Sequence, residues 1–394
     1  MDVDNAMEPF DTIVLGLGAV GSAAVYQLAA RKHKVLGIDQ FSPPHAYGSS
    51  HGETRVTRVA IGEGAHYTPL ALRSHEIWRD LEKQTGASLL TTDGLLIISS
   101  AAKRSVTHVD NFFANTLAAA EQFGIAYDVL TAPEIRHRFP VFKIASDEVG
   151  YFEPGAGFLR PEECIRTQLA LAQEGGATIH RNEKVLGCDA SGSNVTVTTD
   201  HGTYGCANLI VAAGAWLPQL VGRDLAKLFA VYRQVLYWFD IDGDASAFSP
   251  QRFPVFIWEL QQKPQGVYGF PAIDGPNGGI KIATETYGST TTAATADRRV
   301  LPEEVAAMYE DYVAPYIDGV TSTCRRTATC LYTVTPDFGF VIDRHPQSDR
   351  VIVASPCSGH GFKHSAAIGE ALAQWIVDGR SRVDLGAFNL RRFG

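Results

Sequence analysis

The sequence predicts a mixed α/β (α+β) fold, in which a Rossmann-like dinucleotide-binding domain carries a second, β-rich domain. Three stretches predict it: a strand–glycine–helix–strand unit at Thr12–Asp39, a helix–strand–hairpin–strand order from Pro161 to Ala213, and a mostly β stretch from Val231 to Tyr287. At 394 residues the chain is too long for one small core and fits two or three domains.

In the first unit, the apolar run Ile13-Val14-Leu15 reads as a buried parallel strand. Gly16, Gly18 and Gly21 follow at the G-x-G-x-x-G spacing, and a helical pattern begins at once. Gly16 permits the tight turn, Gly18 lets backbone approach a pyrophosphate, and Gly21 lets helix and strand pack closely. The phosphates then sit on the N–H groups and positive end of the helix. A second strand, Val35 to Ile38, ends in Asp39, placed to bond a ribose hydroxyl. An acid there, not an arginine, argues for FAD or NAD over NADP.

Further along, FSPPHAYGSSHGETR reads as a loop, either beside a cofactor or simply on the surface. Helical spacing marks Thr68–Thr85 and Ala101–Phe123, and GLLIIS at Gly94–Ser99 reads as a strand. Gly124–Tyr127 leads into another, and Ala132-Pro133-Glu134 opens a helix that Phe139-Pro140 stops. Pro161 begins a helix running to about Gly175, with a short strand at Ala177–His180. Val195–Thr199 and Thr203–Cys206 form a hairpin about His201-Gly202, and Leu209–Ala213 is a further buried strand. That order returns the chain to the first sheet as in glutathione-reductase-like FAD folds. A helix at Pro302–Tyr316, strands at Gly339–Ile342 and Val351–Ala354, and a helix at Ser365–Asp378 complete the reading.

Composition narrows the function. The chain is 45% apolar and 20% charged, as in ordinary globular proteins. A net charge of −9 without a long basic cluster argues against nucleic acid as a partner. The acidic start MDVDNAMEPF has no apolar core of a signal peptide, and no run is long enough to span a membrane. Six scattered cysteines without C-x-x-C pairs indicate neither a metal site nor a disulfide framework. The expectation is a cytoplasmic soluble enzyme.

Four pieces carry a resemblance: the Gly16 loop, Ser50-His51-Gly52-Glu53-Thr54-Arg55-Val56-Thr57-Arg58, the segment Cys330–Asp337 (CLYTVTPD), and Ser358-Gly359-His360-Gly361-Phe362-Lys363. Together they resemble the sarcosine oxidase / N-methyltryptophan oxidase family of flavin amine oxidases, and the ending DLGAFNLRRFG is similar to that of the N-methyltryptophan branch. The resemblance implies a three-segment FAD domain over residues 1–90, 150–220 and 325–394, and a substrate domain over 91–149 and 221–324. It implies FAD held by Gly16, Gly18, Gly21, Asp39, His51, Thr54, Gly359 and Gly361, and covalently through Cys330, with Cys324 next in line. Arg58 and Lys363 are then the clamp for a substrate carboxylate, and Tyr268 and Tyr332 line the pocket. Arg55 lies against the flavin, His51 helps to attach it, and Lys281 is where O2 is reduced. The implied reaction converts a secondary or N-methylated amino acid to an imine, which water hydrolyses, while O2 becomes hydrogen peroxide. A monomer is the family expectation. The rivals are an oxidase of a cyclic imino acid or a fructosyl amino acid, a flavin dehydrogenase that does not use O2, and an NAD module without catalysis.

Each role has a chemical reason and a plain alternative. Arginine and lysine together suit an α-carboxylate, although most lysines lie at the surface. Cys330 would react as a thiolate, yet a free cysteine is often a small buried hydrophobe. The tyrosines equally suit packing. Lys281, flanked by Ile280 and Ile282, equally suits an ordinary amphipathic strand. Backbone N–H groups of Gly359–Gly361 would stabilise an anionic flavin edge. Three departures from the family bear on the choice of substrate: Glu285 stands where the family usually has a histidine, Val59 and Ile61 replace a usual histidine and tyrosine, and the loop AIDGPNGG is long. Glu285 is accordingly placed among the catalytic candidates.

Overall fold

A computed structural model describes residues 10–105, 109–275 and 277–394. Two large sheets organise it. The first strand, Phe10–Leu15, lies between Val35–Asp39 and Thr203–Val211, parallel to both. Thr178–Arg181 extends this sheet beyond Val35–Asp39, and Ser348–Ser355 adds in parallel to the end of Thr203–Val211. Central parallel strands are buried on both faces, which explains the uninterrupted apolar runs Ile13-Val14-Leu15 and Leu209-Ile210-Val211. The helix Ala19–Ala30 packs between Pro161–Glu174 and Ser365–Val377 over one face. The second sheet has nine strands. The long pair Ala230–Ile241 and Val320–Val334 meets Ile280–Thr284, Val267–Phe270 and Val255–Trp258, and Leu95–Ser99 continues it.

Most expected elements are present, and the helix Thr68–Thr85 has its expected bounds. Several differ, each for a local reason. The expected helix at Ala101–Phe123 is confined to Phe112–Phe123. Residues 106–108 lie outside the described ones, and the amides of Arg104 and Ser105 donate to the Leu260 carbonyl, at 3.0 and 2.9 Å, which ties this stretch to the second sheet. The hairpin arm and the buried strand after it are one strand, Thr203–Val211, since the chain passes at Cys206 from pairing with Val195–Thr199 to pairing with Phe10–Leu15 without a break. The α-helix at Pro302 ends at Met308 and widens into a π-turn over Tyr309–Val313. The strand expected at Gly339–Ile342 runs over Val341–His345. Val320–Val334, a strand of 15 residues, was not anticipated. The strands Val149–Glu153 and Val320–Val334 both belong to the second sheet, so the expected segment boundaries at 149/150 and 324/325 fall within strands. Val59 and Ile61 are core residues, and Pro276, in the long loop, lies outside the described residues.

Candidate active site

The glycine turn owes its shape to crowding. Gly16 has φ +84°, and a Cβ there would lie 2.7 Å from the Ala212 carbonyl oxygen. A Cβ on Gly21 would sit 1.7 Å from the carbonyl oxygen of Gly16, a separation no side chain survives. At Gly18, the N-cap of Ala19–Ala30, a Cβ would meet only Ser50 Oγ at 3.6 Å. That position therefore faces space, not protein. Asp39 is buried, and its carboxylate accepts from the amides of Leu17 (2.8 Å) and Phe41 (2.9 Å). Burial pushes its pKa up, partly offset by those two amides and by His45.

A first cavity runs from Asp39 and Glu183, past Gly16 and Gly18, to Tyr332 and Gly359. It passes a helix N-terminus at Gly18 and Ala19 and holds Ser355, whose buried hydroxyl makes no hydrogen bond among the described residues. The FSPPHAYGSSHGETR loop is part of this wall through Phe41, His45 and Ser49. Such a slot fits a dinucleotide with its pyrophosphate over the helix, and a flavin dinucleotide in particular, since its far end is closed by another chemistry-bearing cavity.

That second cavity shares Arg55, Tyr332, Gly359 and Phe362 with the first. Arg55 is fixed between them, donating to the carbonyls of Thr54 (2.8 Å) and Ser49 (2.6 Å). Arg58, Lys281, Lys363, Glu285 and Tyr268 all line the second cavity. The sequence separates these side chains by up to 305 positions; the fold brings them together. Thr54 also lines it, with a buried hydroxyl that has no partner among the described residues.

Lys363 is 5% exposed and Arg58 1%, so neither is a surface cation. Both are held by a residue the sequence reading passed over, Glu63. One guanidinium nitrogen of Arg58 bonds Glu63 Oε2 and another the Ala60 carbonyl. Lys363 Nζ donates to the His360 carbonyl at 2.9 Å and lies 3.4 Å from Glu63 Oε1. A protein carboxylate thus bridges the two cations expected to clamp a substrate carboxylate. Burial drives the Lys363 pKa down to about 8, although Glu63 pulls it up. The available signal was an acid between two glycines, Gly62-Glu63-Gly64, five residues after Arg58.

Lys281 faces inward. Its Nζ donates to the carbonyls of Gly52 (2.9 Å) and Thr54 (2.7 Å) and lies 4.0 Å from the centre of the Phe270 ring. Burial, then the Arg55 charge, pushes its pKa well below the ordinary lysine value, while the carbonyls and the ring face favour the cation. An ordinary amphipathic strand is excluded, because all of Ile280–Ala283 is buried. Tyr268 and Tyr332 approach each other with hydroxyls 3.5 Å apart.

Cys330 is buried on the strand Val320–Val334, in a cluster with Tyr332 and Cys357, and lines neither cavity directly. Burial pushes its thiol pKa up, and Arg55 and Lys281 act in the opposite direction. The second thiol at this site is Cys357, which lines the first cavity, and not Cys324, which lies half-exposed beside the register of Phe239. His51 also stands behind the wall. Its pKa falls to about 3 through burial and then the charges of Arg55 and Lys281, so the imidazole is neutral. Gly361 shapes the turn before the last helix, where a Cβ would lie 1.7 Å from the Pro356 carbonyl oxygen. Among the described residues no cluster could hold a metal ion, and no helix is long and apolar enough to cross a membrane.

Comparison with known proteins agrees with this geometry. The FAD dependent oxidoreductase family (DAO) matches residues 11–375. Over 97% of both chains, the sequence is 40% identical to a monomeric sarcosine oxidase of Streptomyces avermitilis. It is 34% identical to an N-methyl-L-tryptophan oxidase of Yersinia pestis, over 98% of this chain and 99% of that one. The fold is similar to that of NikD, an unusual amino acid oxidase essential for nikkomycin biosynthesis, with a TM-score of 0.81 at 22% identity over 97% of this chain and 98% of that one.

Proposed function

The chain belongs to the FAD dependent oxidoreductase family, and from that premise we propose that it oxidises an N-methylated or other secondary amino acid to an imine, with O2 as the acceptor. The relatives named for sarcosine and N-methyltryptophan support the substrate class. The observation that carries the reading is the junction of the two cavities at Arg55, Tyr332, Gly359 and Phe362, with the buried cations Arg58, Lys281 and Lys363 on the substrate side. FAD, when bound, supplies the hydride acceptor and passes the electrons to O2, giving hydrogen peroxide.

The remaining work falls to this chain's own groups. Gly16, Gly18 and Gly21 with Asp39 hold the dinucleotide, and Gly359 and Gly361 shape the turn at its reactive end. Arg58 and Lys363 bind the substrate carboxylate in a site from which water is largely excluded. Tyr268 and Tyr332 supply ring surface to the rest of the substrate. Arg55 presents a fixed guanidinium between the cavities. Lys281 is the fixed cation for the charge that develops as O2 is reduced. Cys330 Sγ is the point of attachment, and neutral His51 and Thr54 belong to the segment that also carries Arg55 and Arg58. Residues 1–90, 150–220 and 325–394 form the cofactor half and the rest the substrate half, apart from the two boundary strands. A cytoplasmic monomer is part of the same proposal.

Peroxide formation on a panel of N-methyl amino acids tests the reaction, and acid precipitation tests the link. The proposal expects peroxide, and flavin that stays with the precipitated protein. In Cys330→Ala the flavin should be released on denaturation. Flavin retained by that variant would move the link to Cys357. A protein reduced by the amino acids but inert to O2 would be a dehydrogenase instead.

A further inference from the structure

Glu285 faces the substrate cavity, and its setting gives it a task. It follows the strand Ile280–Thr284 directly, on the side from which Lys281 projects. The Tyr287 hydroxyl donates to Glu285 Oε2 at 3.0 Å. Tyr287 is itself wedged edge-on between Tyr232 and Phe338, with ring centres 5.4 and 5.0 Å away. Glu285 Oε1 lies 3.1 Å from where a Cβ on Gly359 would stand, and the Tyr332 ring is equally close to that point. A side chain at 359 would crowd this carboxylate and the tyrosine ring, and the φ of +84° there also favours glycine. Arg58 and Lys363, joined through Glu63, lie on the same cavity. The cavity therefore offers a cationic pair and a separate anion.

An amino acid near neutral pH presents the complementary pair, a carboxylate and an ammonium. Oxidation at the carbon next to nitrogen needs the neutral amine, so one proton must leave after binding. We propose that Glu285 binds the substrate's ammonium group and accepts its proton, so that the protein takes secondary amino acids as zwitterions. The N–H bond breaks, its electron pair stays on nitrogen, and the proton moves to a carboxylate oxygen of Glu285. The surrounding rings suit a cation for the same reason, since Tyr268 and Tyr332 turn aromatic surface to the cavity. The charged and titratable groups coupled to Glu285 are Lys363 on the turn before the last helix, Tyr268, Tyr332, Cys330 and Tyr287. The cations Arg55, Arg58 and Lys281 line the same cavity as Lys363 and Glu285. This inference rests on the reading that the cavity oxidises an amino acid.

Two measurements on the flavin-loaded protein and its Glu285→Gln variant test it. The first follows binding through the flavin's visible absorption, without turnover, using the zwitterion trimethylammonioacetate and its carbon isostere tert-butylacetate, which keeps the carboxylate and lacks the ammonium charge. The wild type should bind the zwitterion ~10-fold more tightly or better, and the variant should lose that preference. The second is anaerobic flavin reduction by an N-methyl amino acid as a function of pH. The ratio of variant to wild-type kcat/KM, followed well below pH 8 where Lys363 is charged in both proteins, should rise about tenfold with each unit of increasing pH. A flat ratio with an unchanged ligand preference would overturn the proposal. If Glu285→Gln does not fold, Glu285→Ala should lose the ammonium preference in the same way, and a preference left at the wild-type value would overturn the proposal. Failure of every N-methyl amino acid to reduce the wild type would sink the proposed reaction, while the ligand pair would still report on Glu285.

Discussion

The two cavities meet at four residues but are built by opposite means. The first is a backbone structure: glycines where a Cβ would collide, a helix N-terminus, and amides tied to Asp39. The second is made of charged side chains brought together from distant segments and neutralised against one another, with Arg58 and Lys363 on Glu63 and Lys281 on two carbonyls. Backbone sites tolerate almost no change of shape. Side-chain sites tolerate a change of shape and respond to a change of charge.

Substitutions should separate the two kinds of site, and the largest effect belongs to the glycine turn. Gly21→Ala places a methyl group 1.7 Å from the Gly16 carbonyl oxygen, so purified protein should carry no flavin and melt early. Gly18→Ala meets only Ser50 Oγ at 3.6 Å; the protein should fold normally and hold FAD more weakly. Equal melting losses for the two variants would erase the distinction between packing and cofactor approach.

In the second cavity, Arg58→Lys and Lys363→Met should lower kcat/KM by an amount equivalent to about 2–5 kcal/mol, because each leaves buried charge without its partner. Flavin content should stay at the wild-type value. A parallel loss of flavin would mean that the two sites are not separable.

Lys281→Met should act on one half-reaction alone. Removing a fixed charge from where charge develops slows a step by roughly 10²–10³-fold, so reoxidation by O2 should slow while anaerobic reduction proceeds normally. Rapid mixing of each half-reaction decides it, and reoxidation at wild-type speed would leave Lys281 a structural group that braces the Gly52–Thr54 turn.

The smallest effect is one of pH. A lysine is charged below its pKa, and burial sets that of Lys363 at about 8. The clamp is therefore intact below that pH and loses one cation above it. KM for a carboxylate substrate should rise as pH passes through about 8, and Lys363→Met should remove this rise. A profile that is the same in both would assign the titration to another group.

The same contrast explains what the sequence disclosed. The dinucleotide unit was legible because strand, turn, helix and acid lie within one continuous stretch, and each element obeys a local steric rule. Thr68–Thr85 was legible because its apolar spacing has one period from end to end. Val320–Val334 was not, since its first half carries the exposed Ser322, Thr323, Arg325 and Arg326 and its pairing partner lies about 90 residues upstream. Glu63 was missed for a related reason: the short Gly62-Glu63-Gly64 signal does not by itself tell a buried acid from a surface one. Its meaning comes from Lys363, on a distant segment. Lys281 and Lys363 carried two readings each until burial separated them.

The central claim is that the second cavity recognises an amino acid by its carboxylate at the edge of a flavin. The most direct measurement is anaerobic mixing of the flavin-loaded protein with an N-methyl amino acid and, separately, with the same amine lacking its carboxylate. The account predicts flavin bleaching by the amino acid at least about 10²-fold faster, in keeping with a buried charged contact. Equal rates for the two amines would contradict it.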